Sequence, residues 1–286
     1  MSGPRLARRA EQRPPATEQA APLPTGSGRR ADEDRRVSVR NLTVRYTAQD
    51  PLVLDGVDLD LYGGETVALL GASGSGKSTL MKSLTGFAPI TSGTVRAGDH
   101  DLTDLRPGQL REVRSQIGQV FQQFNLIGRL SVLTNVLTGA LYDAGPVNLL
   151  GTFSSAHRAR ALELLDRVGI AHKAEDQART LSGGQQQRVA IARALMQNPR
   201  IILADEPVAS LDPRMSHTVL DLLQSIARQE GIPVLVSLHV VALAVEHSDR
   251  IVGLRSGRVV LEGATGELSA EGLASVYDVD DEDGDD

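Results

Sequence analysis

Continuous apolar runs recur along the chain and alternate with stretches of helical periodicity. The runs are typical of strands buried on both faces, and they lie at 66–70, 117–121, 201–204, 234–238 and 251–254. Helical periodicity lies between most of them, at 158–168, 185–196 and 215–229. Strands that alternate with helices predict an α/β fold in which a parallel sheet carries helices on its faces.

Two parts of the chain depart from this alternation. Residues 37–46 and 53–61 have the period-2 pattern of strands and precede the first buried run. Residues from about 123 to 180 are mostly helical in pattern, with a loop at 145–151. We expect the first part to form strands and the second to be an inserted helical subdomain.

The two ends of the chain differ in composition from the rest. Residues 1–36 are rich in Pro, Gly, Ala and Arg and hold almost no large apolar side chains, and residues 278–286 form an acidic run. Neither segment can bury enough apolar surface to offset the entropy of ordering. We therefore expect disordered tails on either side of a folded unit at 37–277.

Composition excludes several classes of protein. The net charge of −6 provides no broad basic surface, which argues against a nucleic-acid partner. Cysteine is absent, so disulfides and thiolate metal sites are excluded. No run approaches the roughly 18–20 apolar residues that span a bilayer, and Arg8-Arg9 is not followed by the apolar run of a signal peptide. The sequence predicts a protein that stays in the cytoplasm.

A glycine-rich loop provides the strongest chemical signal. Residues 71–78 fit the pattern G-x-x-x-x-G-K-S/T between a predicted buried strand and a predicted helix. In such a loop backbone amides surround phosphate oxygens, Lys77 adds a positive charge, and the hydroxyl of Ser78 is a Mg²⁺ ligand. The loop is Gly71-Ala72-Ser73-Gly74-Ser75-Gly76-Lys77-Ser78. It predicts a nucleotide site, although many nucleotide hydrolases share it.

Two adjacent acids end a later apolar strand. Asp205 and Glu206 follow the run 201–204, and neighbours on a strand point to opposite faces, so the two carboxylates have different roles. We expect Asp205 to hold Mg²⁺ and Glu206 to reach the water that attacks the γ-phosphate. An ordinary strand end with solvated acids is the alternative, and the phosphate loop makes it the weaker one.

The segment Leu181-Ser182-Gly183-Gly184-Gln185 precedes a predicted helix. Ser182 and Gln185 alone fit a capping box, which is a purely structural interpretation. A capping box does not explain the two glycines, which leave bare amides at a helix N-terminus where an anion could bind.

With this segment the sequence resembles the ATP-binding cassette (ABC) ATPases, whose signature is LSGGQ. The resemblance covers nearly the whole folded unit and implies a P-loop fold with a parallel core sheet, an N-terminal antiparallel β-subdomain and an inserted helical subdomain. It implies nucleotide contacts from the phosphate loop, from Thr79 and from Ser182–Gln185, with Asp205 and Glu206 as the Walker B pair. Further positions match by order along the chain: Tyr46 as the aromatic on adenine, Gln122 as the Q-loop glutamine and Mg²⁺ ligand, Asp212 of the D-loop, and His239 as the switch histidine. Gln123 competes with Gln122 for its role.

The family resemblance also implies a mechanism and partners. Two copies of the chain would meet head to tail, so that each signature closes over the ATP and Mg²⁺ of the other copy. Glu206, His239 and Gln122 would act at the γ-phosphate, and the helical subdomain would dock on an integral membrane permease. The protein would then work as a peripheral subunit on the cytoplasmic face of the membrane.

Segments outside the motifs resemble the ATPase subunits of phosphonate importers. They include residues 121–126, 129–137, 237–239 and 249–254, together with the long segment 139–155. This likeness implies a phosphonate-binding protein as an indirect partner. The ATPase of another importer or exporter is the main alternative. A soluble ABC ATPase acting on ribosomes or DNA is disfavoured, because the chain has neither a second cassette nor a coiled-coil insertion.

Overall fold

The computed structural model describes residues 35–98, 100–143 and 153–277. Within these ranges the chain forms ten strands: β1 Arg35–Val44, β2 Leu54–Tyr62, β3 Thr66–Leu70, β4 Ser92–Ala97, β5 His100–Asp101, β6 Ile117–Phe121, β7 Ile201–Asp205, β8 Val234–Ser237, β9 Arg250–Arg255 and β10 Arg258–Ala264. The same ranges contain eight α-helices: α1 Lys77–Leu84, α2 Pro107–Ser115, α3 Val132–Leu137, α4 Ser155–Arg167, α5 Gly183–Leu195, α6 Pro213–Glu230, α7 Val241–His247 and α8 Ala270–Ser275.

Six strands form the central sheet in the order β10-β9-β3-β8-β7-β6. The strands from β9 to β6 are parallel, and β10 adds an antiparallel edge. Every residue of β3 and β8 is buried, as the continuous apolar runs predicted for strands covered on both faces. Because the strands are parallel, β3, β7 and β8 end at the same edge of the sheet, where ligands bind in open α/β folds. The predicted parallel sheet is confirmed.

A second sheet holds β1 and β2 together with β4 and β5, which follow α1. It is four-stranded and antiparallel, in the order β2-β1-β4-β5, which confirms the predicted N-terminal β-subdomain. Strand β1 begins at Arg35, two residues before the predicted boundary at 37, because Arg35 pairs with Tyr62 of β2. The predicted tails otherwise fall at 1–34 and 278–286, outside the described residues.

The predicted insertion at 123–180 is helical. Helix α3 packs against α4 and α5, and the buried side chains Leu133, Val136, Leu164 and Ile191 belong to one cluster that continues into the central sheet. Asn135 fixes the loop before α3, since its side chain accepts from the amide of Ile127 and donates to the carbonyl of the same residue. The predicted loop at 145–151 lies outside the described residues.

Among the described residues, no helix combines the length and the apolarity that crossing a membrane demands.

Candidate active site

The glycine-rich segment leaves β3 and leads into α1, as its pattern predicts. Gly74 and Gly76 have φ values of 81° and 107°, which side-chain-bearing residues rarely adopt. A Cβ on Gly76 would lie 2.7 Å from Cδ2 of Leu54 and 3.0 Å from the carbonyl oxygen of Val53. The loop therefore requires glycine at this turn for both conformation and space.

Lys77 is folded onto the loop. Its Nζ donates to the carbonyl oxygens of Gly71 at 2.7 Å and Ala72 at 3.0 Å. Burial lowers the pKa of Lys77, although the nearby carboxylates of Glu206 and Asp205 oppose this change. Beside it, Oγ of Ser75 is buried without a hydrogen-bond partner. A buried ammonium and an unsatisfied hydroxyl in one loop fit a site for an anion with several acceptor oxygens.

Three motifs that are far apart in the sequence share one cavity of about 200 Å³ at this loop. Its lining consists of Val53, residues 73–79 of the loop and of α1, Glu206, and His239. The structure thus brings together the predicted phosphate ligands, the predicted base and the predicted switch histidine.

Glu206 and His239 contact each other directly. Nε2 of His239 lies 2.5 Å from Oε1 of Glu206. Glu206 follows β7 with a φ of 49°, a left-handed conformation that costs free energy for a residue other than glycine. This backbone turn directs the chain away from the strand directly after Asp205, so the two adjacent acids have different surroundings.

Ser237, at the end of β8, connects the two acids, a role that its sequence context did not predict. Its Oγ donates to Oδ1 of Asp205 at 2.8 Å and accepts from the backbone amide of Glu206 at 2.8 Å. The side chain is fully buried. The sequence does show a serine two residues before His239, at the end of an apolar strand. Its two partners are about 30 residues away in the sequence, so no local pattern identifies them.

A larger cavity of about 480 Å³ adjoins the loop on another side. Ser78 and Asp205 both line it, and their hydroxyl and carboxylate oxygens are hard ligands that suit Mg²⁺. Tyr46 also lines it, is 45% exposed and places its OH 3.3 Å from Oγ1 of Thr79. Phe87, which the sequence analysis did not select, offers a second exposed aromatic ring in the same cavity.

The predicted Q-loop glutamine is not brought to the cavities. Gln122 and Gln123 form an exposed turn after β6, and neither lines the two cavities at the phosphate loop. Phe121 of β6 pairs with Asp205 of β7, so the turn begins at the residue directly after the one that lies opposite Asp205. The geometry does not choose between the two glutamines.

Arg193 of α5 holds the segment that follows these glutamines. Its guanidinium donates to the carbonyl oxygen of Phe124 at 2.9 Å and to that of Asn125. Burial lowers the pKa of Arg193. Sequence analysis missed this residue because an arginine within a helical pattern gives no sign of its partner. The contact joins the signature helix to the predicted Q-loop.

The signature segment lies at the start of α5. Ser182 and Gln185 form both hydrogen bonds of the capping box, which confirms that structural role. A Cβ on Gly184 would lie 2.5 Å from Cε of Met215, so packing accounts for part of the preference for glycine, although that flexible methyl group can move. Neither cavity at the phosphate loop is lined by any residue of 181–185.

Two further residues of the carboxyl-terminal half lie outside both cavities at the phosphate loop. Asp212, the predicted D-loop acid, is exposed and caps α6 by accepting from the amide of Met215 at 3.0 Å.

Tyr277 follows α8 and was not predicted. Its OH donates to the carbonyl oxygen of His239 at 3.2 Å. Burial raises the pKa of Tyr277, so this phenol stays a donor.

Several proteins with similar sequences are named as ATP-binding proteins for the import of phosphorus compounds. A phosphonates import ATP-binding protein of Frankia casuarinae is 53% identical over 79% of this chain and 90% of its own length. A phosphate-import ATP-binding protein of Mycolicibacterium smegmatis is 48% identical over 86% of this chain and 94% of its own length. A hypophosphite import ATP-binding protein of Stutzerimonas stutzeri is 47% identical over 86% of this chain and 72% of its own length.

Solved structures agree with the sequence comparison. A dimeric ATP-binding cassette in a post-hydrolysis state bound to ADP and Pi is 37% identical, covers 80% of this chain and 98% of its own, and superposes with a TM-score of 0.70. The ADP conformation of an ATP-binding cassette of an ABC transporter is 28% identical, with a coverage of 85% and 98% and a TM-score of 0.73. The ABC transporter family profile matches residues 54–209. The chain therefore belongs to the ABC transporter family and is one of its ATP-hydrolysing cassettes.

Proposed function

We propose that the chain is the ATPase subunit of a bacterial phosphonate importer and that it works as a head-to-tail dimer on a membrane permease. The observation that carries this proposal is the cavity at the phosphate loop, where Glu206 and His239 meet residues 73–79. Residues 181–185 lie outside that cavity, so one copy of the chain provides only part of the expected nucleotide contacts.

Each residue at this cavity has a proposed role. Lys77 would exchange its two carbonyl acceptors for phosphate oxygens, to which a charged donor bonds more strongly. Glu206 would accept a proton from the attacking water, and His239 would donate to the γ-phosphate. Tyr46 would stack on the adenine, a contact of about 1–3 kcal/mol by analogy with nucleic-acid stacking platforms.

Ser78 and Asp205 would hold Mg²⁺, and their oxygen atoms fit that ion. The ion, when bound, would neutralise charge that develops on the β- and γ-phosphates. Gln122 remains a candidate for a further ligand and for the link to the helical subdomain, as the family resemblance implies.

The head-to-tail arrangement is tested by mixing two inactive variants. Lys77→Ala removes the phosphate contact from one cavity, and Gly183→Asp puts a carboxylate where the partner's γ-phosphate would lie. Aspartate is favourable near a helix N-terminus, and its Cβ at position 183 would lie 3.3 Å from the flexible Cδ2 of Leu211 and at an ordinary 3.8 Å from Cζ of Phe124, so the fold tolerates it.

In a mixed dimer both lesions fall on the same shared site, and the other site stays intact. An equimolar mixture should therefore recover about a quarter of wild-type ATPase activity, since half of the dimers are mixed and each has one of two sites. The measurement is steady-state phosphate release by each variant alone and by the mixture. A mixture as inactive as its components contradicts the shared site.

The choice of phosphonate rests on the 53% identical phosphonates import protein from Frankia casuarinae. The phosphate-import and hypophosphite import relatives show that similar cassettes serve other phosphorus oxyanions. The test is the ATPase activity of the cassette assembled with its permease in vesicles, with a binding protein loaded with methylphosphonate, phosphate or hypophosphite. We expect the largest stimulation with the phosphonate, and a preference for either of the others reassigns the substrate.

The expected position of the protein follows from the same assembly. A cassette without a membrane-spanning helix in its described residues would reach the membrane through the permease and lie on its cytoplasmic face. Flotation of vesicles with and without the permease tests this: the cassette should float only with the permease present.

A further inference from the structure

Two helices bring together three side chains of types that bind metals, beside the cavity that Glu206 and His239 also line. His217 lies on α6, and Glu246 and His247 lie at the end of α7. Nδ1 of His217 is 2.9 Å from Nε2 of His247 and 3.3 Å from Oε1 of Glu246. The third separation, from Nε2 of His247 to Oε1 of Glu246, is 3.8 Å.

These separations correspond to the spacing of ligands around one small ion. Zn²⁺ binds nitrogen and oxygen at about 2.0–2.1 Å, which places tetrahedral ligands about 3.3–3.4 Å apart. The three observed separations of 2.9, 3.3 and 3.8 Å fall on both sides of that value. One ion could contact all three atoms after shifts of a few tenths of an ångström.

His247 has the outer partner that metal-binding histidines use. Its ring is 4% exposed, and Nδ1 lies 3.1 Å from Oδ1 of Asp221, one turn along α6 from His217. A proton held on Nδ1 by this carboxylate leaves Nε2 without one, so Nε2 offers a lone pair to the cluster. Without an ion, the same lone pair would accept a hydrogen bond from Nδ1–H of His217.

The cluster is open to entry of an ion. His217 and Glu246 line a cavity of about 630 Å³ whose wall also includes Glu206 and His239. Glu246 is exposed, and an ion could reach it from this cavity and keep a water in the fourth position. One carboxylate and two neutral imidazoles are the donor types that zinc prefers when thiolates are absent.

We propose that His217, Glu246 and His247 form a site for one Zn²⁺ ion, with Asp221 as the outer carboxylate that orients His247. The ion would connect α6, which begins at the D-loop, with α7, which starts two residues after His239. It would therefore restrain two segments that border the nucleotide site without contacting the nucleotide.

The experiment is a calorimetric titration of ZnCl₂ into the full-length, EDTA-stripped and nucleotide-free protein. We expect one ion per chain, and Co²⁺ in place of Zn²⁺ should give the visible absorption of a tetrahedral site. The chain has no cysteine, so thiolates cannot produce that spectrum. A thermal melt should show a Tm higher by roughly 5 °C at a hundredfold excess of Zn²⁺ over its Kd.

Variants separate this site from other donors. His217→Ala and Glu246→Gln should lose the high-affinity binding, and Asp221→Asn should weaken it by roughly 10- to 100-fold. His172→Ala removes an exposed histidine outside the cluster and should bind Zn²⁺ like the wild type. His239→Ala removes a histidine that contacts a carboxylate, Glu206, outside the cluster. This variant should also bind Zn²⁺ like the wild type.

The melting temperature of each metal-free variant shows whether it is folded before the titration is read. His217 and Asp221 are partly exposed on a long helix, so both substitutions leave the fold intact. Binding that persists in His217→Ala, or that disappears in His239→Ala, overturns the proposal and moves the ion elsewhere. Absence of stoichiometric binding by the wild type also overturns it, and the two rings are then a hydrogen-bonded pair.

Discussion

Nε2 of His239 lies 2.5 Å from Oε1 of Glu206, and the two residues come from the ends of neighbouring strands β8 and β7. Both line the cavity formed by residues 73–79. The proposed γ-phosphate would compete with Glu206 for the same ring nitrogen. If the γ-phosphate accepts a hydrogen bond from His239, the Glu206 carboxylate loses that partner and can contact the attacking water. The contact between the two residues therefore links nucleotide binding to the availability of the base.

Glu206→Gln tests the role of the base. The amide keeps a hydrogen-bond acceptor for His239 and occupies nearly the same volume, but it cannot accept the proton of water. We expect ATP binding to persist and kcat to fall by roughly 10²- to 10⁴-fold, the contribution typical of general base catalysis. Gel filtration with ATP should then show an accumulated dimer, because the γ-phosphate is not removed.

Glu271→Gln is the control for this substitution. Glu271 is exposed on α8, and its amide variant should hydrolyse ATP at the wild-type rate. Normal turnover by Glu206→Gln would show that another group activates the water.

Lys77→Ala tests the phosphate contact. Nζ of Lys77 already lies in the loop on two carbonyl oxygens, so phosphate would replace acceptors of the same geometry. Loss of charge-assisted bonds worth about 3 kcal/mol should weaken ATP binding about 100-fold. Equilibrium binding of a fluorescent ATP analogue measures this.

Lys173→Ala is the control, because it removes an exposed ion pair with Asp176 and should bind ATP as the wild type does. An unchanged ATP affinity in Lys77→Ala would exclude the assigned phosphate contact.

The same lysine predicts a pH dependence of stability. Burial lowers the pKa of Lys77 in the folded, nucleotide-free protein, whereas the unfolded chain titrates near the ordinary value of about 10.4. Between these two values the unfolded state binds more protons, so the free energy of unfolding rises with pH. Urea melts from pH 8 to 10.5 should show wild type gaining stability relative to Lys77→Met across that window. A difference that stays constant or falls contradicts the buried charge.

Ser237→Ala tests the link between the two acids. The substitution removes the acceptor of the Glu206 amide and the donor to Asp205, both at 2.8 Å. A buried amide without a partner costs about 1–3 kcal/mol, which urea melts can measure. We also expect a lower ATPase rate, because neither carboxylate keeps its position.

Ser83→Ala is the matched control for Ser237→Ala. Ser83 is equally buried, but its hydroxyl donates only to the carbonyl oxygen of Thr79 within α1. Its loss should cost less stability and should not change the rate. Equal effects of the two substitutions would show that burial of a serine, and not the contact with the acids, determines the outcome.

Sequence patterns predicted the parts of this fold that depend on burial. The runs 66–70 and 117–121 coincide with β3 and β6. Every residue of β3 is buried, as expected for a strand covered on both faces, whereas the edge strand β6 leaves Gln119 and Phe121 only partly buried. The start of α5 followed from Ser182 and Gln185, because a capping box is local. Parallel topology predicted that the phosphate loop and the acids share one edge of the sheet, whereas the role of His239 followed only from the family resemblance. The structure brings Glu206 and His239 to the loop.

Side-chain partners distant in the sequence could not be predicted in this way. Ser237, Arg193 and Tyr277 fit their strand, helix or chain end without any special pattern, and their roles arise from tertiary contacts. Gly184 shows the same limit: its contact with Met215 becomes evident only when α5 and α6 are packed together. The hydrophobic periodicity of a helix or strand shows which of its faces is buried, but it does not show which residues pack against that face.

Arg193→Ala tests whether the signature helix holds the predicted Q-loop. Phe124 and Asn125, whose carbonyl oxygens Arg193 contacts, both have left-handed φ values of 55° and 51°. Such conformations cost about 1–3 kcal/mol per residue and persist only where the surroundings enforce them. Without the guanidinium fork this turn should relax, and hydrogen exchange of a peptide spanning 120–130 should become faster.

Arg188→Ala provides the comparison on the same helix. Its guanidinium donates to the carbonyl oxygen of Val168 at 3.4 Å, remote in sequence from the turn at 122–126. That variant should leave the exchange of 120–130 unchanged. We further expect Arg193→Ala to reduce stimulation by the permease and loaded binding protein more than basal ATPase activity, because the turn would transmit motion and not perform chemistry. If exchange at 120–130 is the same in Arg193→Ala and wild type, the turn keeps its conformation by other contacts and α5 does not control it.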